Sequence, residues 1–316
     1  MKVFVSYRFP EAALARIKEK FDVSVNEEQR LLSKEELSAR VVDVDALVCL
    51  GNRVDRDVID AGKKLKIVAN YGVGYNNIDA EYAAKKQVMV TNTPGVLTET
   101  TADLTWAILM AIARRIVEAD RFTKSGRFAG FDPYRLLGTD VHGKTLGIVG
   151  LGRIGQAVAK RSLGFDMKVL YFGVRRKDTE TEQRYGATYV ALDTLLQESD
   201  FVTLHVPLTQ STHHLIGKDK LALMKPTAFL INASRGAVVD EQALVEVLKE
   251  RKIAGAALDV YEKEPQLSPG LSELDNVVLI PHLGSATMQT RNAMAEIVAD
   301  NVIAALHGER PPNLVN

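Results

Sequence analysis

The feature that most constrains the fold of this sequence is a glycine motif between an apolar run and a helical pattern. The run Leu146-Gly147-Ile148-Val149 has the composition of a buried strand, and Gln156-Ala157-Val158-Ala159 continues as a helix. Between them lies Gly150-Leu151-Gly152-Arg153-Ile154-Gly155, with G-x-G-x-x-G spacing. Such glycines allow a tight turn, a close approach to phosphates and close packing of helix on strand. The motif therefore predicts a dinucleotide-binding turn at a helix N-terminus, with an ordinary structural turn as the alternative.

Composition and charge narrow the class of protein. The chain has 316 residues, enough for two domains of ordinary size, and its 40 basic residues balance 40 acidic ones. No excess of charge favours nucleic acid or an acidic membrane as a partner. The longest apolar stretch, residues 104–113, is too short to cross a bilayer, and the N-terminus lacks the apolar core of a signal peptide. We therefore expect a protein of the reducing cytoplasm, with no nucleic-acid or membrane partner.

The sulfur- and imidazole-bearing residues give no sign of a disulfide or a metal centre. The single cysteine, Cys49, excludes an internal disulfide, and its apolar neighbours predict a small buried side chain. No Cys-x-x-Cys or His/Cys cluster has the spacing of a metal site, so we predict no metal. His213 and His214 follow Thr209-Gln210-Ser211-Thr212, which predicts a polar loop without a catalytic role.

Short β-branched runs alternate with helical patterns along most of the chain, which predicts parallel sheets covered by helices. The first series has predicted strands at 2–7, 22–25, 46–50, 66–70 and 88–90, and predicted helices at 10–20, 33–41, 55–62 and 79–85. The second has predicted strands at 145–149, 168–172, 201–204, 227–231, 254–258 and 277–280, with helices at 154–163 and 240–249. Two longer helical patterns run from Thr98 to about Lys124 and from about Ser285 to His307.

These patterns predict an α/β fold of two doubly wound parallel-sheet domains joined by the two long helices. Residues 1–98 plus 284–316 are expected to form a flavodoxin-like substrate domain, and residues 99–283 a Rossmann nucleotide domain. A crevice between two such domains is a usual place for a small-molecule site.

Polar side chains follow the predicted strands of the second domain, at the edge where open α/β sheets bind ligands. They are His205-Val206-Pro207 after the third strand, Asn232-Ala233-Ser234-Arg235 after the fourth, Asp259 and Glu264 after the fifth, and His282 with Gly284 after the sixth. Each residue alone is explained equally well by a salt bridge or a helix cap. Together they bring an arginine, a histidine and carboxylates to one edge beside the predicted nucleotide, which favours a site.

These residue types suit the reduction of a 2-keto acid by a nicotinamide cofactor. Hydride transfer to a carbonyl carbon leaves an anionic oxygen, which a histidine can protonate near neutral pH. A nearby carboxylate stabilises the charged imidazolium. An arginine can hold the substrate carboxylate by two parallel hydrogen bonds while it polarises the neighbouring carbonyl.

Four motifs, in this order and spread over nearly the whole chain, resemble those of the D-isomer-specific 2-hydroxyacid dehydrogenases. They are Gly150-x-Gly152-Arg153-Ile154-Gly155, Asn232-Ala233-Ser234-Arg235-Gly236, Ala257-Leu258-Asp259-Val260-x-x-x-Glu264-Pro265 and Pro281-His282-x-Gly284-Ser285-Ala286-Thr287. Within that family, Tyr71–Asp79 and the Thr100-Thr101-Ala102-Asp103 helix are most similar to glyoxylate/hydroxypyruvate reductases. The resemblance implies an NAD(P)-dependent enzyme acting on a 2-keto acid or 2-hydroxy acid, the two-domain fold and a homodimer.

The resemblance also implies a role for each site residue. Arg235 would bind the substrate carboxylate and carbonyl, His282 would be the acid/base, and Glu264 would pair with it. The backbone N–H groups of Val73 and Gly74 would add donors for the substrate carboxylate, and Asp259 would contact the nicotinamide carboxamide. Cofactor contacts are expected from Gly150, Gly152, Arg153, Ile154, Gly155, Gly173, Val174, Arg175, Arg176, His205, Val206, Pro207, Ala233, Ser234, Asp259, His282 and Gly284.

One departure from an NAD site concerns the end of the second strand of the nucleotide domain. An acidic residue about 20 residues after the glycines normally bonds the ribose 2′-hydroxyl. Here Gly173 holds that position, and Val174, Arg175, Arg176 and Lys177 follow. Without a carboxylate a 2′-phosphate is not repelled, and an arginine can pair with it. We predict a preference for NADP over NAD. A solvated basic turn without cofactor contact is the alternative, and Val174, where some family members have arginine, leaves use of both cofactors open.

Two other functions stay open at this point. Phosphoglycerate dehydrogenase is the alternative in the same class of enzyme. A nucleotide-sensing, corepressor-like binding module is the alternative in another class, although Arg235, Glu264 and His282 are all present and favour turnover.

Overall fold

The computed structural model describes residues 1–28 and 30–316, which form two compact units. Unit 1 comprises Met1–Leu97 and Ser285–Asn316, and unit 2 comprises Thr98–Gly284. The predicted domain bounds lie one residue away from these. Which ligand each unit binds stays a prediction.

A five-stranded parallel sheet forms the centre of unit 1, with strand order β2-β1-β3-β4-β5. Its strands are β1 (Lys2–Val5), β2 (Asp22–Val25), β3 (Ala46–Cys49), β4 (Ile67–Asn70) and β5 (Met89–Thr91). The helices of this unit are α1 (Glu11–Lys18), α2 (Lys34–Val41), α3 (Arg56–Ala61), α4 (Ala80–Lys85) and α12 (Met288–Leu306). This strand order is that of the flavodoxin-like sheet, as predicted.

Helices α2, α3 and α4 of unit 1 begin at polar residues that cap their first turns. Ser33 accepts the N–H of Glu36, whose side chain accepts the Ser33 N–H in return, so the pair forms a capping box. The side chains of Asp55 and Asp79 accept first-turn N–H groups of α3 and α4. These local bonds explain why the predicted starts of these three helices agree with the structure to within one residue.

A seven-stranded parallel sheet forms the centre of unit 2, with strand order β12-β11-β10-β9-β6-β7-β8. Its strands are β6 (Thr145–Val149), β7 (Lys168–Phe172), β8 (Ala187–Tyr189), β9 (Phe201–Leu204), β10 (Phe229–Asn232), β11 (Gly255–Leu258) and β12 (Val277–Leu279). The order reverses direction between β6 and β9. In sheets of this type, ligands bind at such a reversal, beyond the carboxyl ends of the strands.

The two faces of this sheet are covered by two separate apolar clusters, since side chains alternate along each strand. One cluster contains Val149, Leu204 and Leu258, and the other contains Ile148, Phe201 and Ala257. The helices are α5 (Thr98–Ala113), α6 (Ile116–Lys124), α7 (Arg153–Ser162), α8 (Thr179–Tyr185), α9 (Leu192–Glu198), α10 (Lys218–Leu221) and α11 (Glu241–Lys249). Helices α9 and α11 contribute to the first cluster, and α5 and α7 to the second. The doubly wound fold predicted from the alternating pattern is thereby confirmed.

The predicted single helix from Thr98 to about Lys124 is wrong, because it is two helices. Helix α5 ends at Ala113, and Arg115 has a left-handed backbone (φ 52°) before α6 starts at Ile116. A residue outside the helix satisfies the last carbonyl of α5: Thr139 donates its N–H to the Ala113 carbonyl at 2.8 Å. Apolar periodicity does not reveal such a tertiary bond, and α6 buries no side chain at all.

Candidate active site

The glycine turn after β6 has the geometry that a dinucleotide requires. Gly150 has φ +101°, and a Cβ there would lie 2.7 Å from the His205 carbonyl oxygen. A Cβ on Gly155 would lie 2.2 Å from the Gly150 carbonyl oxygen, so α7 packs closely on the turn. A Cβ on Gly152 would instead meet nothing within 4 Å, and no side chain caps α7 there. The turn therefore leaves open space beside the N–H groups at Arg153 and Ile154, which fits a pyrophosphate.

His205 lies next to this turn, directly after β9, and its ring is a second sign of a ligand. Both ring nitrogens are buried and make no hydrogen bond with any residue that the structure describes. Burial lowers the pKa of His205 to about 4, so the ring is neutral at neutral pH. Buried polar atoms are seldom left unpaired, so the ring nitrogens fit the edge of a bound ligand. Of the two neighbouring residues, Val206 is partly buried and Pro207 is exposed.

Arg235 is carried by a tight turn after β10, which the last residue of that strand shapes. The Asn232 side-chain oxygen accepts the N–H and hydroxyl of Ser234 at 3.0 and 2.8 Å, and its amide donates to the Arg235 carbonyl at 3.0 Å. The guanidinium donates to the Ser234 carbonyl at 2.7 Å. Burial lowers the pKa of Arg235, while the charge of Glu264 opposes that shift. Ala233 in the same turn is buried, and the partly buried Arg235 lies close enough to Glu264 for the two charges to interact.

His282 and Glu264 form a hydrogen-bonded pair. The Nδ1 atom of His282 lies 2.9 Å from Oε2 of Glu264, and the Tyr261 N–H donates to Oε1 of the same carboxylate at 3.0 Å. Burial would raise the pKa of Glu264, but the hydrogen bond and charge of His282, with the charge of Arg235, lower it overall. Glu264 is therefore an anion at neutral pH, and it contacts one nitrogen of the imidazole ring.

Backbone bonds fix the position of the imidazole. His282 has a left-handed backbone (φ 54°), an uncommon conformation for a residue other than glycine, and its N–H donates to the Asp259 carbonyl at 2.9 Å. The Asp259 carboxylate accepts the N–H groups of Leu283 and Gly284, the latter at 2.9 Å. Burial raises the pKa of Asp259 to about 6, although these two bonds oppose the shift. The two bonds join the end of β11 to the His282 segment.

The basic turn after β7 is exposed, and its two arginines differ. The Arg176 guanidinium makes two bonds to Glu182, at 2.9 and 2.8 Å, and the Tyr171 hydroxyl donates to the same carboxylate at 2.7 Å. Arg175 is exposed and makes no ion pair with any described residue. Gly173 follows β7 directly, as the sequence predicts, and Val174 is 97% exposed. This pairing of Arg176 was not predicted. It leaves Arg175 as the arginine of this turn that makes no ion pair with a described residue.

In unit 1, Val73 and Gly74 lie in a turn after β4 that side-chain amides fix. Asn70 donates to the carbonyls of Gly72 and Gly74 at 2.9 and 3.0 Å, and Asn92 donates to the Val73 carbonyl at 2.9 Å. These bonds use carbonyl groups, and the role of the N–H groups toward a substrate stays a prediction.

Some residues of unit 2 were missed in the sequence. Asn232 was noted only as part of a motif, but it shapes the Arg235 turn, and Tyr261 bonds Glu264 through its backbone N–H, which no side-chain pattern signals. The structure also brings His213 and His214 close to Glu262. Because Glu262 lies 48 residues further along the chain, spacing gave no signal of this cluster.

Comparison with known proteins identifies the class of enzyme that this site belongs to. Residues 106–284 match the family model described as "D-isomer specific 2-hydroxyacid dehydrogenase, NAD binding domain". The chain belongs to this family. It is an NAD(P)-dependent oxidoreductase of the 2-hydroxyacid dehydrogenase class, and it reduces 2-keto acids. The corepressor-like alternative is therefore set aside.

Particular relatives narrow the comparison. The chain is 53% identical to the glyoxylate reductase of Thermococcus onnurineus, over 100% of this chain and 96% of that protein. It is similar to the crystal structure of TT0316 protein from Thermus thermophilus, with a TM-score of 0.93, 44% identity and full coverage of both chains. It is also similar to an NADPH-dependent glyoxylate/hydroxypyruvate reductase from Sinorhizobium meliloti, solved with NADP and malonate. That TM-score is 0.88, with 34% identity over 99% of this chain and 96% of the other.

A search for membrane spans covered the helices of the residues that the structure describes. None of them has both the length and the apolar character needed to cross a bilayer.

Proposed function

We propose that this enzyme reduces glyoxylate, and with it hydroxypyruvate, to the 2-hydroxy acid, with NADPH as the preferred cofactor. The observation that carries the proposal is the hydrogen-bonded His282–Glu264 pair with the partly buried Arg235, all at the sheet edge that also holds the glycine turn. The relatives whose names specify glyoxylate as substrate support the choice of keto acid.

His282 is the group that gives a proton to the substrate carbonyl. Its Nδ1 atom is bonded to Glu264, so Nε2 is the nitrogen left to donate. The Glu264 carboxylate stabilises the imidazolium and orients the ring, and the Tyr261 N–H holds that carboxylate in turn. In the direction of oxidation, Nε2 of the neutral ring accepts the proton of the hydroxyl group.

Arg235 binds the substrate carboxylate and polarises the carbonyl next to it. A planar guanidinium matches a carboxylate by two parallel hydrogen bonds. Burial raises the effect of its charge, because few waters screen it. A bound nicotinamide supplies the hydride, and the pyrophosphate would be held at Gly150–Gly155 with His205 beside it. Asp259 would face the carboxamide, with Ala233, Ser234 and Gly284 around it.

Two observations support the preference for NADPH. Gly173 leaves the end of β7 without a carboxylate, and Arg175 is exposed two residues later. Because Arg176 is already paired with Glu182, Arg175 is the arginine that we assign to the 2′-phosphate. Val174, with its fully exposed side chain, would cover the adenine side of the same turn.

A matrix of initial rates tests the proposal. NADH and NADPH would each be assayed with glyoxylate, hydroxypyruvate, pyruvate and 3-phosphohydroxypyruvate. We expect the highest kcat/KM for NADPH with glyoxylate or hydroxypyruvate. A maximum with 3-phosphohydroxypyruvate would instead make the enzyme a phosphoglycerate dehydrogenase and overturn the substrate assignment.

A homodimer is also part of this proposal. The segment between α6 and β6 exposes four large apolar side chains by more than 60%: Phe128, Phe131, Tyr134 and Leu137. Each would cost roughly 25 cal/mol per Å² of apolar surface left in water, which a second copy of the chain would cover. Light scattering should give twice the monomer mass for the wild type and the monomer mass for Phe131→Asp with Tyr134→Asp. A monomeric wild type would contradict the proposal. A cytoplasmic location stays a prediction.

A further inference from the structure

We propose that His213, His214 and Glu262 form a binding site for one divalent transition-metal ion of the zinc class. Each residue offers one ligand atom, and the three atoms lie within 4.8 Å of one another. Two imidazole nitrogens and one carboxylate oxygen are ligands that zinc prefers. The site lies in unit 2, and no part of the proposed reaction depends on it.

The closest pair of atoms has the spacing of two ligands on one ion. The Nε2 atom of His214 lies 3.1 Å from Oε1 of Glu262. Two zinc ligands at about 2.0–2.1 Å and a tetrahedral angle are separated by about 3.3 Å. The same short contact does not have hydrogen-bond geometry, and Nε2 is buried without a hydrogen bond to any described residue. A metal ion would satisfy both the orphan nitrogen and the carboxylate.

The histidine half of the site is held by the backbone. The two rings are stacked, with centroids 4.0 Å apart. His214 has φ 51°, and its N–H donates to the Ala237 carbonyl at 2.8 Å. The Ile216 N–H then donates to the Val238 carbonyl at 3.0 Å. This short ladder holds the backbone that carries the two rings, which lowers the cost of assembling a site.

The carboxylate half is held by a different element. The Glu262 N–H donates at 2.8 Å to the carboxylate of Glu241, whose side chain is buried at the start of α11. The other oxygen of Glu241 accepts the Ser268 N–H at 2.7 Å. A Cβ on Gly236 would lie 1.8 Å from the Tyr261 carbonyl carbon, so the backbone before Glu262 is packed tightly as well. The three ligand residues thus come from two anchored segments, and a metal would join them.

An ion pair between His214 and Glu262 is the other explanation of the short contact. That ion pair needs neither His213 nor a metal, whereas a metal site needs all three side chains. The two explanations therefore differ in what happens when His213 is removed.

Metal titration of the whole enzyme tests the inference. After chelator treatment and dialysis, Zn²⁺ binding would be measured by calorimetry, and Co²⁺ would be added as a spectroscopic probe of tetrahedral N/O ligands. We expect one ion per chain and a visible Co²⁺ band. Each of His213→Ala, His214→Asn and Glu262→Gln should weaken Zn²⁺ binding by at least about tenfold, since each removes one ligand. Asparagine suits position 214 because it tolerates a positive φ.

His142→Ala is the matched control, since this exposed histidine lies in the same unit and outside the cluster. It should bind Zn²⁺ like the wild type. Circular dichroism of every variant would confirm that the fold is kept. The inference is overturned if the wild type binds no ion, or if the three variants bind it as tightly as the control does.

Discussion

Two turns of unit 2 follow strands of the same parallel sheet but are built in opposite ways. The turn after β10 carries a partly buried Arg235 between the buried Ala233 and Gly236, and Asn232 bonds both Ser234 and Arg235 within it. The turn after β7 carries Gly173 to Lys177 and is largely exposed. Its internal bonds are few, the main one being the Lys177 N–H to the Tyr171 hydroxyl at 2.8 Å.

The difference follows from what each turn must do. Groups that act on a reacting bond need fixed positions, because a shift of about 1 Å costs up to ~10²-fold in rate. A group that only distinguishes a phosphate from a hydroxyl acts through charge and tolerates more freedom. Substitutions in the turn after β10 should therefore lower kcat/KM strongly, and substitutions in the turn after β7 should change cofactor preference alone.

The largest effect is expected at His282. Replacement by Asn keeps a residue that tolerates the left-handed backbone but removes the proton donor, so kcat should fall by about 10²- to 10⁴-fold. NADPH binding, measured by fluorescence, should change little. His307→Ala, at an exposed histidine of unit 1, is the control and should retain the wild-type kcat. A His282→Asn enzyme with full activity would show that another group supplies the proton.

Arg235→Lys should come next. Lysine keeps the charge but not the planar fork, and a charged hydrogen bond is worth about 1.5–3 kcal/mol, so kcat/KM for glyoxylate should fall about 10- to 150-fold. The dissociation constant of NADPH should move much less. Arg251→Lys, at an exposed arginine of the same unit, is the matched control. Unchanged kcat and KM in Arg235→Lys would assign the arginine to the fold and not to the substrate.

The fold could be predicted from sequence wherever the signal was local. Alternating apolar runs, glycines and capping residues gave the strands, the doubly wound class and most helix starts. Strand β8 and helices α8, α9 and α10 were not located, because each has seven residues or fewer and is too short to show a clear periodicity. The break after Ala113 was missed for the related reason that its partner, Thr139, lies 26 residues away.

The candidate site could be predicted only as a set of residues. The rule that ligands bind at carboxyl ends of strands placed Arg235, Glu264 and His282 together, and the structure shows the Glu264–His282 bond. Their catalytic roles stay predictions. The pairing of Arg176 with Glu182 could not be foreseen, since an exposed ion pair depends on how α8 turns back on β7. Because of this pairing, Arg175 is the arginine whose role in cofactor preference should be tested first.

Substitutions in the exposed turn after β7 should change the preference between NADPH and NADH and should leave kcat unchanged. Arg175→Ala should reduce the preference for NADPH over NADH by about tenfold, the loss of one charge-assisted phosphate contact of about 1.4 kcal/mol. Arg176→Ala is the matched control and should reduce it less, because that guanidinium is held by Glu182. Equal effects of the two substitutions would contradict the assignment to Arg175.

The converse substitution is Gly173→Asp. A Cβ there would meet only the Arg175 carbonyl oxygen, at 3.8 Å, so the position has room for a Cβ atom. The new carboxylate should repel a 2′-phosphate and bond the ribose hydroxyl, which favours NADH. The measurement is kcat/KM for both cofactors at fixed glyoxylate. A wild type that uses NADH as well as NADPH would mean that the turn is only a basic surface loop.

The smallest change is expected at Glu264, where Gln keeps the shape and removes the charge. The amide oxygen can still accept the Tyr261 N–H, so the segment should stay in place. Without the anion at 2.9 Å, protonation of the His282 ring is less favourable. Because reduction needs the protonated ring, the pH above which the reduction rate falls should move down. Oxidation of the hydroxy acid needs the neutral ring and should extend to lower pH by the same amount. Glu262→Gln, two residues away, is the control that should leave both pH limits in place. A Glu264→Gln enzyme with both pH limits unmoved would show that the carboxylate does not influence the proton transfer.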